Sequence, residues 1–186
     1  CHVVVPEGAV RAKLAAIEAY GAILHRCAPT ITAREAQCAQ VQAATGAELV
    51  HPYADARVIA GQGTAALELL TAEPDPDLLV VPVGGGGLAA GTALAMRALA
   101  PRCRLLLAEP AGAADTARSL AADALDVEMV PDTVCDGLRG TLGGINFRLL
   151  RDARAEVVVL DDADTVRAMR LLWGRCKQLV EPSSAI

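Results

Sequence analysis

The amino-acid sequence predicts an α/β fold, with mostly parallel sheets covered by helices on both faces. Three observations carry this. Apolar runs of strand length alternate along the chain with segments of helical period. Of the 186 residues 53% are hydrophobic but only 2% aromatic, so the core must be built from Ala, Val and Leu packed in layers. Four consecutive glycines, Gly84 to Gly87, join an apolar run to a helical one.

Taken in order, His2–Val5 is expected as a buried strand, Ala9–Tyr20 as a helix stopped by Gly21, and Ala22–His25 as a second strand. Thr32-Ala-Arg-Glu35 has the capping-box pattern, which predicts a helix to about Thr45, ended by Gly46. Glu48–Val50 reads as a third strand, and the polar turn His51-Pro-Tyr-Ala-Asp55 as a domain crossing. Beyond it, Gly61-Gln-Gly-Thr64 leads into a helix over 65–71, and Asp77–Val83 reads as a strand buried on both faces. A helix over 88–99, a strand over 104–108, the loop around Glu109-Pro-Ala-Gly112 and a helix near 115–122 follow. Val130–Gly144 is less regular. A further helix, the strand Glu156–Leu160 and a helix capped by Asp161 or Asp162 complete the chain.

Several function classes are set aside. The net charge is −5 and Lys and Arg are scattered, whereas neutralising a phosphate backbone needs them grouped, so no nucleic-acid partner is expected. Apolar runs such as Leu78–Val83 are too short for a membrane span and no leader pattern opens the chain, so no membrane association and a cytoplasmic location are expected. Six cysteines (Cys1, Cys27, Cys38, Cys103, Cys135, Cys176) form no C-x-x-C pair and have no histidine at zinc-site spacing, which points to reduced thiols. Lysine occurs only at Lys13 and Lys177. The Cys1 start and the Glu181-Pro-Ser-Ser-Ala-Ile186 end are expected to be internal cuts in a longer protein.

The glycine run carries the chemistry. Without Cβ atoms a backbone can turn sharply after a strand and aim several N–H groups at an anion near the positive end of the following helix. Two functional readings remain open on this pattern. One is a phosphate cradle. The other is a nicotinamide-dinucleotide site, because Gly85-Gly-Gly87-Leu-Ala-Ala90 fits G-x-G-x-x-G/A and Glu109 stands where a ribose-binding acid would be. Against the second, such a unit ordinarily opens its domain, and here other strand and helix units precede it.

Cys1-His-Val-Val-Val-Pro6, Ala19-Tyr-Gly-Ala22, His51-Pro52, Val58-Ile-Ala-Gly-Gln-Gly-Thr64, Val81-Pro-Val-Gly-Gly-Gly-Gly87, Ala108-Glu-Pro110, Asp136-Gly137 and Glu181-Pro182 occur in this order. Together they resemble the serine racemase and serine/threonine dehydratase family, pyridoxal-phosphate enzymes of the tryptophan synthase β type of fold. The resemblance implies that residues 1–52 finish a small domain and that 53–186 belong to the large cofactor-binding one. It implies that Gly84, Gly85, Gly86, Gly87 and the amide of Leu88 hold the phosphate of pyridoxal 5'-phosphate, and that Gly137 lies against the cofactor ring with Glu181 close by. Glu109, the carbonyl of Ala113 and Asp115 match the family's site for a divalent cation, and their hard oxygens suit magnesium, manganese or calcium.

Lys177 matches a lysine that contacts an activating nucleotide, and Tyr53 replaces an asparagine that approaches the cofactor. The implied substrates are small hydroxy-amino acids (serine, threonine or 3-hydroxyaspartate), the implied reactions racemisation or loss of the β-hydroxyl to give an α-keto acid and ammonia, and the implied assembly a homodimer. The family's Schiff-base lysine and the serine on the opposite face of the substrate come from segments expected upstream of Cys1, so no catalytic residue is assigned here. Residues 1–186 alone are expected to be inactive, and a non-catalytic relative of the family kept as a binding or regulatory module stands as a third reading.

Overall fold

The computed structural model describes residues 1–186, apart from the side chain of residue 31. The chain forms two compact units, Cys1–Val50 and His51–Ile186.

In the first unit, β1 (His2–Pro6) and β2 (Ile23–Cys27) form a parallel pair, with His2 opposite Ile23 and Pro6 opposite Cys27. A parallel pair needs a crossover, and α1 (Arg11–Ala19) supplies it. The chain leaves α1 through Gly21 at φ +80°, a left-handed conformation that costs a Cβ-bearing residue. α2 (Ile31–Thr45) begins two residues earlier than the capping-box pattern implies. Its cap is Thr30, extended at φ −122° and ψ 153°, whose hydroxyl accepts from the Ala33 amide at 3.1 Å. Thr32 is thereby drawn into the first turn. Gly46, at φ +70°, ends the helix as expected. The strand expected at Glu48–Val50 does not form: no neighbouring strand among the described residues supplies a ladder, and Leu49 and Val50 are exposed.

In the second unit β3 (Leu78–Pro82), β4 (Arg104–Pro110) and β5 (Glu156–Leu160) make a parallel sheet in the order β3-β4-β5. α4 (Gly87–Leu99), α5 (Asp115–Ala121) and α6 (Gly144–Asp152) lie between these strands in sequence, and α7 (Asp162–Leu171) and α8 (Pro182–Ala185) follow them. Leu79, Val81, Val83, Leu105 and Leu107 of the sheet region meet Met96 of α4 and Phe147 and Leu150 of α6 in one core. Each side chain of this size contributes roughly 1.5–3 kcal/mol on full burial. β3 is not covered on both faces as its apolar run suggests: Leu78 and Val80 are 40% and 54% exposed while Leu79 and Val81 are buried, the alternation of a strand packed on one side.

α3 (Ala56–Ala72) is the main departure from the sequence expectation. It starts at the cap Asp55 and runs straight through Gly61-Gln-Gly-Thr64, which is expected from the sequence to lead into a helix beginning only at residue 65. Packing overrides propensity here: a Cβ on Gly63 would lie 2.9 Å from the Gly91 carbonyl oxygen of α4, so the glycines let two helix backbones touch.

Asp55 anchors that helix. Its carboxylate accepts from the Arg57 amide at 2.8 Å and pairs with the Arg57 guanidinium at 2.9 Å, and these contacts, the guanidinium bond first, lower its pKa from the usual 3.8 to about 2. Because the folded value is depressed, the stabilisation is present above pH 3.8 and is lost as pH falls through about 2. Asp55→Asn, which keeps an acceptor for the amide but drops the charge, should therefore show a melting temperature less dependent on pH across that window than wild type. Thermal melts at a series of pH values check this, and equal slopes would refute it.

Candidate functional site

β3 delivers the chain to the glycine run. The Val83 amide donates to the Ala108 carbonyl at 2.9 Å, extending the strand pairing by one residue, after which Gly84–Gly86 turn into α4. Gly86, at φ +88°, is the N-cap. A Cβ there would meet Leu142 Cδ1 at 2.7 Å and Asn146 Cβ at 2.9 Å; one on Gly84 would meet Leu138 Cα at 2.8 Å, and one on Gly85 would overlap the Tyr53 ring. The glycines are thus required by close approach as well as by dihedral.

The polar groups of the turn face different ways. The Gly85 carbonyl points into the protein, accepting from Asn146 Nδ2 at 2.7 Å and from the Gly143 amide at 3.1 Å. The Gly86 carbonyl accepts from the Ala90 amide at 2.8 Å inside the helix. Among the described residues, the amides of Gly84, Gly85, Gly86, Gly87 and Leu88 donate to no protein acceptor. Five unpaired donors at the positive end of a thirteen-residue helix make an anion cradle.

Three segments enclose it. Leu138 lies against Gly84, which brings in Gly137, whose amide donates to Ser183 Oγ at 2.9 Å. A Cβ on Gly137 would stand 3.5 Å from Glu181 Oε1, so the expected neighbours Gly137 and Glu181 do meet. Tyr53 is the third. Its own amide and that of Ala54 are held by His51 Nδ1 at 3.3 and 2.9 Å, the two rings meet edge to face at 4.5 Å, and the Tyr53 ring lies against Gly85 and near Gly140. Asn146, Ser183 and Gly140 escape the sequence reading. Only Asn146 carried a signal: a polar residue four before Leu150 on the buried face of α6.

The expected cation ligands lie in one buried stretch. Glu109 and Asp115 are fully buried. Glu109 accepts the Thr116 and Ala117 amides of α5, both at 2.8 Å. Burial pushes its pKa up, and those amides pull it back. Both Glu109 oxygens accept amides of its own chain and the residue is fully buried, which disfavours it as the exposed ribose-binding acid of a dinucleotide site. Asp115 Oδ2 accepts the Leu142 amide at 2.7 Å, while Oδ1 has no partner among the described residues, and burial raises this carboxyl too. The Ala113 residue beside them is also buried. No cluster of three or more His, Cys, Asp or Glu side chains able to hold a metal occurs among the described residues, so any ion here would rely on two carboxylates and a backbone oxygen. Of the lysines, Lys13 lies on α1 of the first unit, and exposed Lys177 donates to the Gly174 carbonyl at 2.7 Å.

Residues 1–186 match the family model described as pyridoxal-phosphate dependent enzyme. The chain belongs to that family. A beta-hydroxyaspartate dehydratase of Paracoccus denitrificans is 41% identical over 186 residues, which are the whole of this chain and 59% of that protein. The structure of maize serine racemase superposes with a TM-score of 0.95 at 41% identity, over 100% of this chain and 56% of that one. The serine racemase of Dictyostelium discoideum superposes with a TM-score of 0.91 at 40% identity, over 100% and 59%, and a threonine deaminase with a TM-score of 0.92 at 41% identity, over 99% and 61%. The chain therefore has the α/β fold of the tryptophan synthase β type, and spans somewhat over half the length of these relatives. The family replaces the nicotinamide reading.

The cradle fits the family's cofactor. A phosphate dianion needs free donors and little side chain in the way, and the Gly84–Leu88 amides are unpaired among the described residues with four of the five residues glycine. Gly86→Ala forces an L-residue to φ +88° against Leu142 and Asn146, turning the amides off target. Losing one charge-assisted bond of about 1.5–3 kcal/mol should weaken pyridoxal 5'-phosphate binding at least roughly tenfold. Equilibrium dialysis of the full-length protein measures this, and unchanged affinity would contradict the cradle.

Proposed function

We propose that the protein carrying this chain is a pyridoxal-phosphate enzyme acting on small hydroxy-amino acids, racemising serine or removing the β-hydroxyl of serine, threonine or 3-hydroxyaspartate to give an α-keto acid and ammonia. The observation that carries this is the glycine cradle with its five unpaired amides, in a chain whose relatives are named for racemisation and dehydration of such substrates. In this reading residues 1–52 end a small domain and 53–186 belong to the large one.

When bound, the cofactor supplies a conjugated ring that accepts the electron pair left at the substrate's Cα. The chain's own contribution is positioning. Gly84 to Leu88 grip the phosphate, Gly137 and Glu181 form the neighbouring wall, and the Tyr53 ring covers Gly85 and keeps water from that side of the loop. Lys177, in the same unit as the cradle, is bonded to its own turn at the Gly174 carbonyl. The full-length protein, loaded with cofactor, should release keto acid and ammonia or form D-serine from at least one of the three hydroxy-amino acids. Ammonia assay and chiral chromatography read both outcomes, and a loaded protein inert toward all three would overturn the assignment.

We also propose that Glu109, the Ala113 carbonyl and Asp115 bind magnesium, manganese or calcium. What supports this is the buried, unpartnered Oδ1 of Asp115 beside a second buried carboxylate, since a buried acid oxygen without a partner is costly unless a cation joins it. Chelation should lower the melting temperature and any of these ions should restore it. Asp115→Asn, which still accepts from Leu142, should melt at one temperature with or without the ion. A wild-type protein indifferent to chelation would refute the site.

A further inference from the structure

We propose that Asn146 is the positioning residue that aims the Gly86 amide at the bound phosphate. The inference rests on the cradle holding the cofactor's phosphate and adds what keeps the cradle open. The Gly85–Gly86 peptide is trans, so its carbonyl and its N–H point in opposite directions. Whatever holds the Gly85 carbonyl inward therefore turns the Gly86 amide outward. Two donors hold it, the Gly143 amide at 3.1 Å and Asn146 Nδ2 at 2.7 Å, and the shorter bond is the side chain's.

A fully buried amide is costly unless its donors are used. Asn146 is 0% exposed on the apolar face of α6, and its Oδ1 has no partner among the described residues. A core position would be better filled by leucine unless the donors matter. Both are used: the second reaches the Tyr53 carbonyl at 2.9 Å. One NH2 group thus ties the phosphate turn to the residue whose ring lies on Gly85, leaving the loop carbonyl unable to swing toward the anion. No sequence motif marks this residue, and neither the cradle nor the cation site includes it.

The test compares binding of pyridoxal 5'-phosphate and unphosphorylated pyridoxal to the full-length protein by equilibrium dialysis. Wild type should strongly prefer the phosphorylated form. Asn146→Leu, which removes both donors, should lower that preference at least tenfold and leave the affinity for pyridoxal unchanged. Asn146→Thr, with one donor, should fall between. A residue that only filled space would lower the melting temperature and leave the preference intact, which overturns the inference. A wild type with no preference would instead remove the phosphate reading beneath it. Should neither variant fold, exchange of the Asn146 side-chain amide protons in wild type decides: slowing by inorganic phosphate supports the proposal and no change overturns it.

Discussion

A site built from backbone amides depends on where the carbonyls of the same peptides go. Each peptide unit carries both charges of a dipole, and a carbonyl facing the anion would cancel the amide beside it. Here the Gly85 carbonyl is bonded inside the protein and the Gly86 carbonyl enters the α4 ladder, so the positive ends of those dipoles remain for a ligand. The surrounding elements serve that arrangement. β3 aims the chain, α4 receives it, α6 brings Asn146 beneath it, and the 136–143 segment closes its side.

The same demand for closeness explains the composition. α3 and α4 touch through Gly63 and Gly91, and α4 presents Ala89, Ala90 and Ala93, all buried, where larger side chains would hold it off the sheet. Small residues bring backbones near each other, and a backbone-built site needs that nearness. Aromatic residues would hold the layers apart. The phosphate turn has Tyr53 against it, and Phe147 marks the junction of α4 and α6 with the sheet.

Much of this was legible in the sequence because the signals were local. The apolar runs at β4 and β5, the positive-φ stops at Gly21 and Gly46, and the four-glycine turn are each decided by neighbouring residues. What was missed is set by distant contacts. Gly61-Gln-Gly-Thr64 reads as the lead-in to a helix until Gly91 is seen to press against Gly63, and Glu48–Val50 reads as a strand although no partner strand exists among the described residues. Asn146 belongs to the same class, since its partners are 61 and 93 residues away. The Glu109 ambiguity was resolved by the family match together with the burial and amide bonds of that carboxylate, none of which the spacing of the chain encodes.

Asp115 reaches in two directions. One carboxylate oxygen holds the Leu142 amide, the other is unpartnered, and the Leu142 side chain abuts the place a Gly86 Cβ would occupy. A ligand on the open oxygen and an anion on the Gly86 amide thus share a short mechanical path. Free-energy linkage makes such a path symmetric: whatever factor occupancy at one end lends to affinity at the other is returned in full. One carboxylate thus stands in contact, through a single leucine, with the turn that carries the unpaired amides, so that any coupling between the two places would run equally in both directions.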